Sequence, residues 1–209
     1  MKILLSLLTL AIMTTTNLSC QEVSTQEAKP YLEAFQKFIE IPEVYTFHSV
    51  KKVNIDKVSA YLFRYEKDEN NGLNGEHFSF LVSEKDKMIL GFINMDKKYA
   101  DTNLPSKEET EKKSRDFLQK IDPELNKGLE NQWIARHDDE INVNGKKTTL
   151  AVMKYKCYRP SVDDYAWVYV GFDGSIQAFE RNSKWDMSKK QRFAEQWLHD
   201  SWRIANGKQ

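Results

Sequence analysis

Four histidines, 31 acidic side chains and two cysteines carry most of the reactive chemistry available to this 209-residue sequence. The histidines are His48, His77, His137 and His199. No two of them stand at metal-ligand spacing, and neither His-Glu-x-x-His nor Cys-x-x-Cys occurs. The densest ionisable run is His137-Asp138-Asp139-Glu140. On a strand, side chains alternate, so His137 and Asp139 share one face while Asp138 and Glu140 take the other. Such a face has the groups to hold a cation or orient an imidazole. A run of this kind is more often a solvated hairpin edge, where charge discourages sheet-to-sheet pairing. Cys157 shares a strand face with Ala151, Met153 and Tyr155 and reads as a small buried hydrophobe. There is no Gly-x-Ser-x-Gly elbow: Gly171-Phe-Asp-Gly-Ser175 sits on a hairpin turn, and Gly145-Lys-Lys-Thr148 lacks the upstream glycine of a phosphate loop. Nothing singles out from the 31 acids a carboxylate pair for glycoside hydrolysis. The spacing therefore assigns no catalytic residue, no metal ligand and no cofactor.

Aromatic side chains are the other candidates. Trp167, Tyr169, Trp185, Trp197 and Trp202 cluster late in the chain. One reading packs a last helix on a sheet through Trp197. The other makes a platform for a sugar or peptide from Trp167 and Tyr169, with Trp185 and Tyr158 exposed beside them; these four are the candidate ligand-binding residues. Val168, Val170 and Phe172 oppose Trp167 and Tyr169, so both faces of this strand are apolar. A sheet wet on one side alternates more cleanly. Something covers the second face: another part of the chain, or a partner.

The elements that must position these residues are legible in outline. Tyr31, Leu32, Phe35, Phe38 and Ile39 repeat at helical spacing and predict a helix over 29–40. Strand signals follow at 45–53, 58–65, 77–83 and 88–95, with a charged, glycine-rich loop at 66–75. Ser106-Lys-Glu-Glu109 is a capping box opening a helix over 107–120, and Pro123 closes that region. Strands at 132–143 and 146–158 flank Asn144-Gly145, and strands at 165–172 and 175–181 flank Asp173-Gly174; both are hairpin turn dipeptides. Ser188-Lys-Lys-Gln191 predicts a second capping box, opening a helix that runs to about residue 206 with Phe193, Ala194, Trp197, Leu198 and Trp202 on its apolar stripe.

The two halves resemble each other. Phe80-Leu-Val82, turn, Ile89–Phe92 lies over Trp167-Val-Tyr169, turn, Ile176–Phe179 at a constant separation of 87, so Asp86-Lys87 falls on Asp173-Gly174. Before each hairpin sits an aromatic-rich strand, Ala60–Tyr65 and Ala151–Tyr158. Either a duplication or a single antiparallel sheet with three helices fits. The class is α+β in both cases, with helices on one face of antiparallel sheet and a C-terminal helix. The segments are a leader at 1–19, a polar tether at 20–28, a first α+β half at 29–103 and a second at 104–209.

The leader is read from Lys2, the apolar run Ile3–Met13 and Leu18-Ser19-Cys20. A positive end, a short apolar run and small residues before a cut mark a secretory signal, and the run is too short to span a membrane. The Leu-Ser-Cys end resembles a lipobox of Bacteroidetes-type bacterial lipoproteins, although Asn17 replaces the usual aliphatic residue. The resemblance implies that Cys20 receives diacylglycerol and tethers an exported protein to the bacterial envelope, at the outer membrane. Losing Lys2 with the leader leaves 30 basic side chains against 31 acidic ones, from 31 of each. That balance offers no excess of cations for phosphates and argues against nucleic-acid binding. If Cys20 is acylated, Cys157 has no disulfide partner.

A helix followed by a meander, used twice, resembles the PepSY-type domain, a small exported α+β module. The stretch 76–181 also resembles the YcdB-like bacterial repeats, through Met88-Ile-Leu-Gly-Phe92, Leu104-Pro-Ser-Lys-Glu-Glu109 and Phe117-Leu118. The resemblance implies an inhibitory or binding module at the cell envelope rather than an enzyme, and it carries over no functional residue. The expected function is a non-catalytic, lipid-anchored envelope protein that binds a protein or peptide. A carbohydrate-binding lipoprotein and a hydrolase using carboxylates or His137 are the alternatives.

Overall fold

The computed structural model describes residues 20–101, 103–186, 188 and 191–208; the leader read at 1–19 lies outside them. β-branched and aromatic residues fit a pleated, half-buried surface, and the runs rich in them become strands. These are β1 (Cys20–Glu22), β2 (Thr46–Ile55), β3 (Val58–Glu66), β4 (His77–Ser83), β5 (Ile89–Met95), β6 (Glu130–Val143), β7 (Lys146–Arg159), β8 (Asp164–Val170) and β9 (Ile176–Ser183). They form one nine-stranded sheet in the order β1-β2-β3-β4-β5-β9-β8-β7-β6, with every neighbouring pair antiparallel. The helices are α1 (Thr25–Gln36), α2 (Lys107–Ile121), α3 (Pro123–Gly128) and α4 (Asp200–Ala205). The class is α+β.

Each half sets helix before meander: α1 then β2–β5, and α2 with α3 then β6–β9. The halves join where β5 pairs β9, with Phe92 opposite Phe179, its counterpart 87 residues on. Gly91 pairs Glu180 and Ile93 pairs Ala178, so each meets the counterpart of the other across a local twofold. The hairpin turns repeat too. Lys87 and Gly174 both take positive φ, 59° and 74°. Asp86 and Asp173 each accept from the backbone amide two residues on, at 3.1 and 3.0 Å. The constant 87 fails in β4 and β8. Phe80 faces Phe92, whereas Val168 faces Phe179, so the sheet aligns Phe80 with Val168 rather than with Trp167. The first turn holds one residue more, and a one-residue slip turns a side chain to the other face.

That slip decides which core each residue joins. Phe80 packs with Phe63, Val168 and Phe179 beneath Ala28, Phe35, Leu118 and Leu125 of α1–α3. Trp167 lies opposite, with Leu62, Leu81 and Ile93 beneath Tyr99, Trp197 and Leu198. The second apolar face is thus covered by the chain's own C-terminal segment and by the short 3-10 turn Lys97–Ala100. Helices are not confined to one face, since Trp202 of α4 packs on this second side.

Three expectations are corrected. The tether at 20–28 is structured: Cys20 pairs Val53 in β1, and the Ser24 side chain caps α1 by accepting from the Glu27 amide at 3.1 Å. Pro123 does not close the helical region; it occupies the first turn of α3, where its missing N–H costs nothing. The helix expected from 188 begins only at Asp200. Gln191–Arg192 pairs with Trp185–Asp186 as a two-residue ladder, and the Ser188 hydroxyl donates to Asp186 at 2.6 Å. Residues 189 and 190 of that expected capping box lie outside the described residues.

At the far edge, Asn144 and Gly145 take φ of 52° and 77°, the pair of positive values that a two-residue hairpin turn requires. The Asn142 amide donates to the Asn74 carbonyl at 2.6 Å, and the Asn144 amide to Asn70 Oδ1 at 2.7 Å. The tip of the β6–β7 hairpin therefore reaches the loop between β3 and β4. The sheet must curl to allow this, and the face carrying Trp197 is the concave one.

Candidate functional site

The curl leaves a cavity of about 930 Å³ between β6, the ends of β4 and β5, and the start of α4. Ile93, Met95, Ile141, Leu198 and Ile204 supply its apolar lining; Asp138, Asp139, Glu140, Asp200, His77, His199 and Lys147 supply ionisable groups. Two buried charge networks stand behind this wall.

The first ties β3 to α4. Arg64 donates to Asp200 Oδ1 and Oδ2 at 2.7 and 2.9 Å, to the Gly72 carbonyl at 2.9 Å and to Glu66. Asp200 Oδ2 also accepts from the Asn74 amide at 2.8 Å. His77 Nε2 lies 3.5 Å from Asp200, and its Nδ1 lies 2.9 Å from Ser79 Oγ. Serine, histidine and aspartate are therefore adjacent, but Ser79 is 1% exposed and does not line the cavity. Burial, reinforced by the Arg64 charge, lowers the His77 pKa to about 3. An imidazole so weakly basic is a poor proton acceptor near neutral pH. Burial pushes the Asp200 carboxyl up, but His77, Arg64 and the Asn74 amide outweigh it and hold the pKa at about 2. The network clamps β3 to the start of α4.

The second network centres on Glu180 of β9. It accepts from Trp167 Nε1 at 3.1 Å and pairs with His199 and Arg192, each at 2.7 Å. Burial opposes the charge, yet Arg192 and His199 hold the Glu180 carboxyl well below the usual range. Burial likewise opposes the His199 cation, and Glu180 overrides it, raising the His199 pKa. Beside it, desolvation brings Lys154 down to about 8. Its ammonium lies 4.4 Å from the Trp167 ring centre and donates to Tyr169 Oη at 3.0 Å. Among the described residues, no group of three or more His, Cys, Asp and Glu is placed to hold a metal ion.

No family model matches the sequence, and no curated protein does. A solved structure is similar to it. The Bacillus megaterium YpeB C-terminal domain matches 77% of this chain at 17% identity with a TM-score of 0.49. The chain covers 63% of that domain's length.

The sequence-predicted aromatics do not form one platform. Trp167 and Tyr169 are core residues, 5% and 2% exposed, because the C-terminal segment lies over their face. Trp185 is half-buried, with the Lys156 ammonium 4.8 Å from its ring. Tyr158 packs on Tyr165 at 5.1 Å and donates to Asp163 at 2.9 Å. Cys20 is half-buried in β1, and Cys157 is buried. His137 and Asp139 do share a face, 3.5 Å apart, and the His137 ring lies 4.9 Å from Tyr169. Asp139 lines the cavity from the concave side. Sequence reasoning missed Trp133, which is 42% exposed, and the partners Arg64, Asp200, Glu180 and His199. Trp133 was findable, since it shares the period-two face of His137 and Asp139. The charged partners lie far apart in the chain, and no local pattern joins them.

Proposed function

We propose that this chain is a non-catalytic, lipid-anchored module of a bacterial envelope that binds a protein or peptide partner on its concave face. The observation that carries the reading is the cavity between β6 and α4: it is roomy and part apolar, and its buried groups are already engaged, Asp200 by Arg64 and the Asn74 amide and His199 by Glu180. Groups so engaged fix a shape and are not poised to move protons. That favours recognition over reaction, in keeping with the PepSY-type resemblance of the sequence. The leader and the Leu-Ser-Cys20 end support the anchor. With Cys20 inside β1, an acylated cysteine would hold the sheet edge close to the membrane. No helix among the described residues is long and apolar enough to cross a membrane.

The test is a pull-down from envelope extract with the full chain as bait. One protein retained stoichiometrically is expected; nothing above background would count against partner binding. Acylation is read separately, as a mass increment on Cys20 that Cys20→Ser abolishes. A second reading, binding of an acidic glycan, draws on exposed Trp133, whose ring lies 5.8 and 5.7 Å from the ammonium groups of Lys154 and Lys156. Glycan-array binding lost in Trp133→Ala would select it.

A further inference from the structure

We propose that the outer edge of β6 receives an extended, lysine- or arginine-bearing segment of a partner protein, which joins the sheet as a further strand and lays its basic side chains in the cavity. The inference rests on the partner-binding reading above and names the chemistry of the partner.

Strand β6 ends the sheet, and no described strand pairs with its outer side. It is 14 residues long, far longer than the short strands that usually close a sheet. Which backbone groups face outward follows from the hairpin. Val143 and Lys146 are the pair that closes the two-residue turn, so Asn142 points its amide and carbonyl away from β7. The bond from the Asn142 amide to Asn74 shows that direction. Alternation then turns the amides and carbonyls of Glu140, Asp138, Arg136 and Ile134 outward as well.

The cavity meets this edge. Residues 138–142 all line it. Side chains of consecutive strand residues point to opposite faces, so five in a row touch one cavity only where it laps round the edge of the strand. Outward backbone and cavity are one surface. An added strand would take main-chain hydrogen bonds from β6, and its alternate side chains would enter the cavity.

Charge selects the side chains. The cavity wall carries the carboxylates of Asp138, Asp139, Glu140 and Asp200 against the single ammonium of Lys147. Arg64 engages Asp200, Arg136 engages Asp138 and Lys147 engages Glu140, whereas Asp139 has only His137, at 3.5 Å, among the described ion pairs and is the carboxylate left for a cation of the partner. Hydrogen bonding and charge from His137 keep the Asp139 pKa low against its burial. A long basic side chain would lay its methylenes on Ile93, Met95 and Leu198 and bring its cation to Asp139. The same acids would repel an acidic strand, the edge of a second copy of this chain included.

The probe is a short blocked peptide of alternating lysine and threonine, with a glutamate–threonine peptide as control, added to the full chain. The lysine peptide is expected to bind and to slow hydrogen exchange at the amides of Arg136, Asp138 and Glu140; the glutamate peptide is expected to do neither. Glu140→Pro removes one outward amide and no backbone bond to β7, and the Glu140–Lys147 ion pair that it also loses is exposed, so binding should weaken about tenfold with the melting temperature little changed. If that variant does not fold, Asp139→Asn with the exchange readout serves in its place, and about tenfold weaker binding is again expected. Failure of the lysine peptide to bind, or binding without protection at those amides, would overturn the proposal. So would a dimer of the chain that protects the same amides without peptide. An envelope partner retained equally by the wild type and Glu140→Pro would sink the edge while leaving partner binding intact. No partner retained, with the peptide result positive, would sink only the broader reading.

Discussion

Arg64 makes four hydrogen bonds to Glu66, Asp200 and the Gly72 carbonyl, and it is 3% exposed. Its replacement by methionine would leave two buried carboxylates without their nearest cation, with Arg203 still 3.5 Å from Asp200. Breaking a buried pair from one side costs about 3–5 kcal/mol, so Arg64→Met should lower unfolding stability by about that much in urea titration; a loss under 1 kcal/mol would show the pair to be dispensable. His77 sets a second expectation. Its folded pKa of about 3 lies below its ordinary value of 6.5, so between those values the unfolded chain binds the extra proton. Stability from the neutral imidazole is therefore fully present above pH 6.5 and drains away as pH falls toward 3. At pH 5 the loss is about 2 kcal/mol. Denaturant midpoints at pH 5 and pH 7 should differ accordingly, and His77→Gln should flatten the difference. Neither residue stood out in the sequence. Arg64, His77 and Asp200 sit in three separate elements, and spacing reveals only neighbours along one. The His137–Asp139 pair, two apart on one strand, was visible for the opposite reason.

Elements whose signals are local were readable from the sequence. Asn144-Gly145 needs only two positive φ angles, and the Ser106–Glu109 capping box is closed by side chains three residues apart, at 3.1 and 3.0 Å. The helix expected from 188 failed because tertiary partners won. Ala194, Trp197 and Leu198 have helical spacing, but Trp197 Nε1 donates to the Asn54 carbonyl at 2.9 Å, and Leu198 seats on the concave core. The 87-residue offset misplaced Trp167 for a subtler reason: a single extra turn residue is nearly silent in sequence and reverses a face. Where β5 meets β9 the two meanders come closest. A Cβ on Gly91 would stand 2.6 Å from the Phe179 carbonyl oxygen and 3.1 Å from Leu198. Gly91→Ala should thus force the strands apart and cost about 1–3 kcal/mol, the usual range for overpacking. Hydrogen exchange should quicken at β5 and β9 before it does in the β6–β7 hairpin; uniform quickening would mean the junction is no weak point.

At the scale of the molecule, the repeated helix-and-meander pattern does not make two independent units, because the C-terminal segment belongs to one half and serves the other. Glu195 accepts from the Asp56 amide at 2.9 Å, Trp197 donates to Asn54, and Asp200 binds Arg64, all in the first half. Without these residues the first half would bare Ala60, Leu62, Leu81 and Ile93 on one face and an unpaired β5 at its edge. The second half alone would carry Trp197 and Leu198 with only part of their packing surface. The cavity depends on both, since Asn74, His77, Ile93 and Met95 come from the first half and Asp138–Asn142 from the second. Segments 20–103 and 104–209, produced separately, should therefore each give dispersed dye-binding states without a cooperative melt. Mixed together they should recover the circular dichroism and melting transition of the intact chain. A cooperative melt for 104–209 alone would show that the crossing tail adds little, and that the second meander with α2 and α3 is a folding unit in its own right. Failure of both halves, with recovery on mixing, would mean that folding and the concave site arise from one event, so that a ligand of the cavity must also raise the melting temperature of the whole chain.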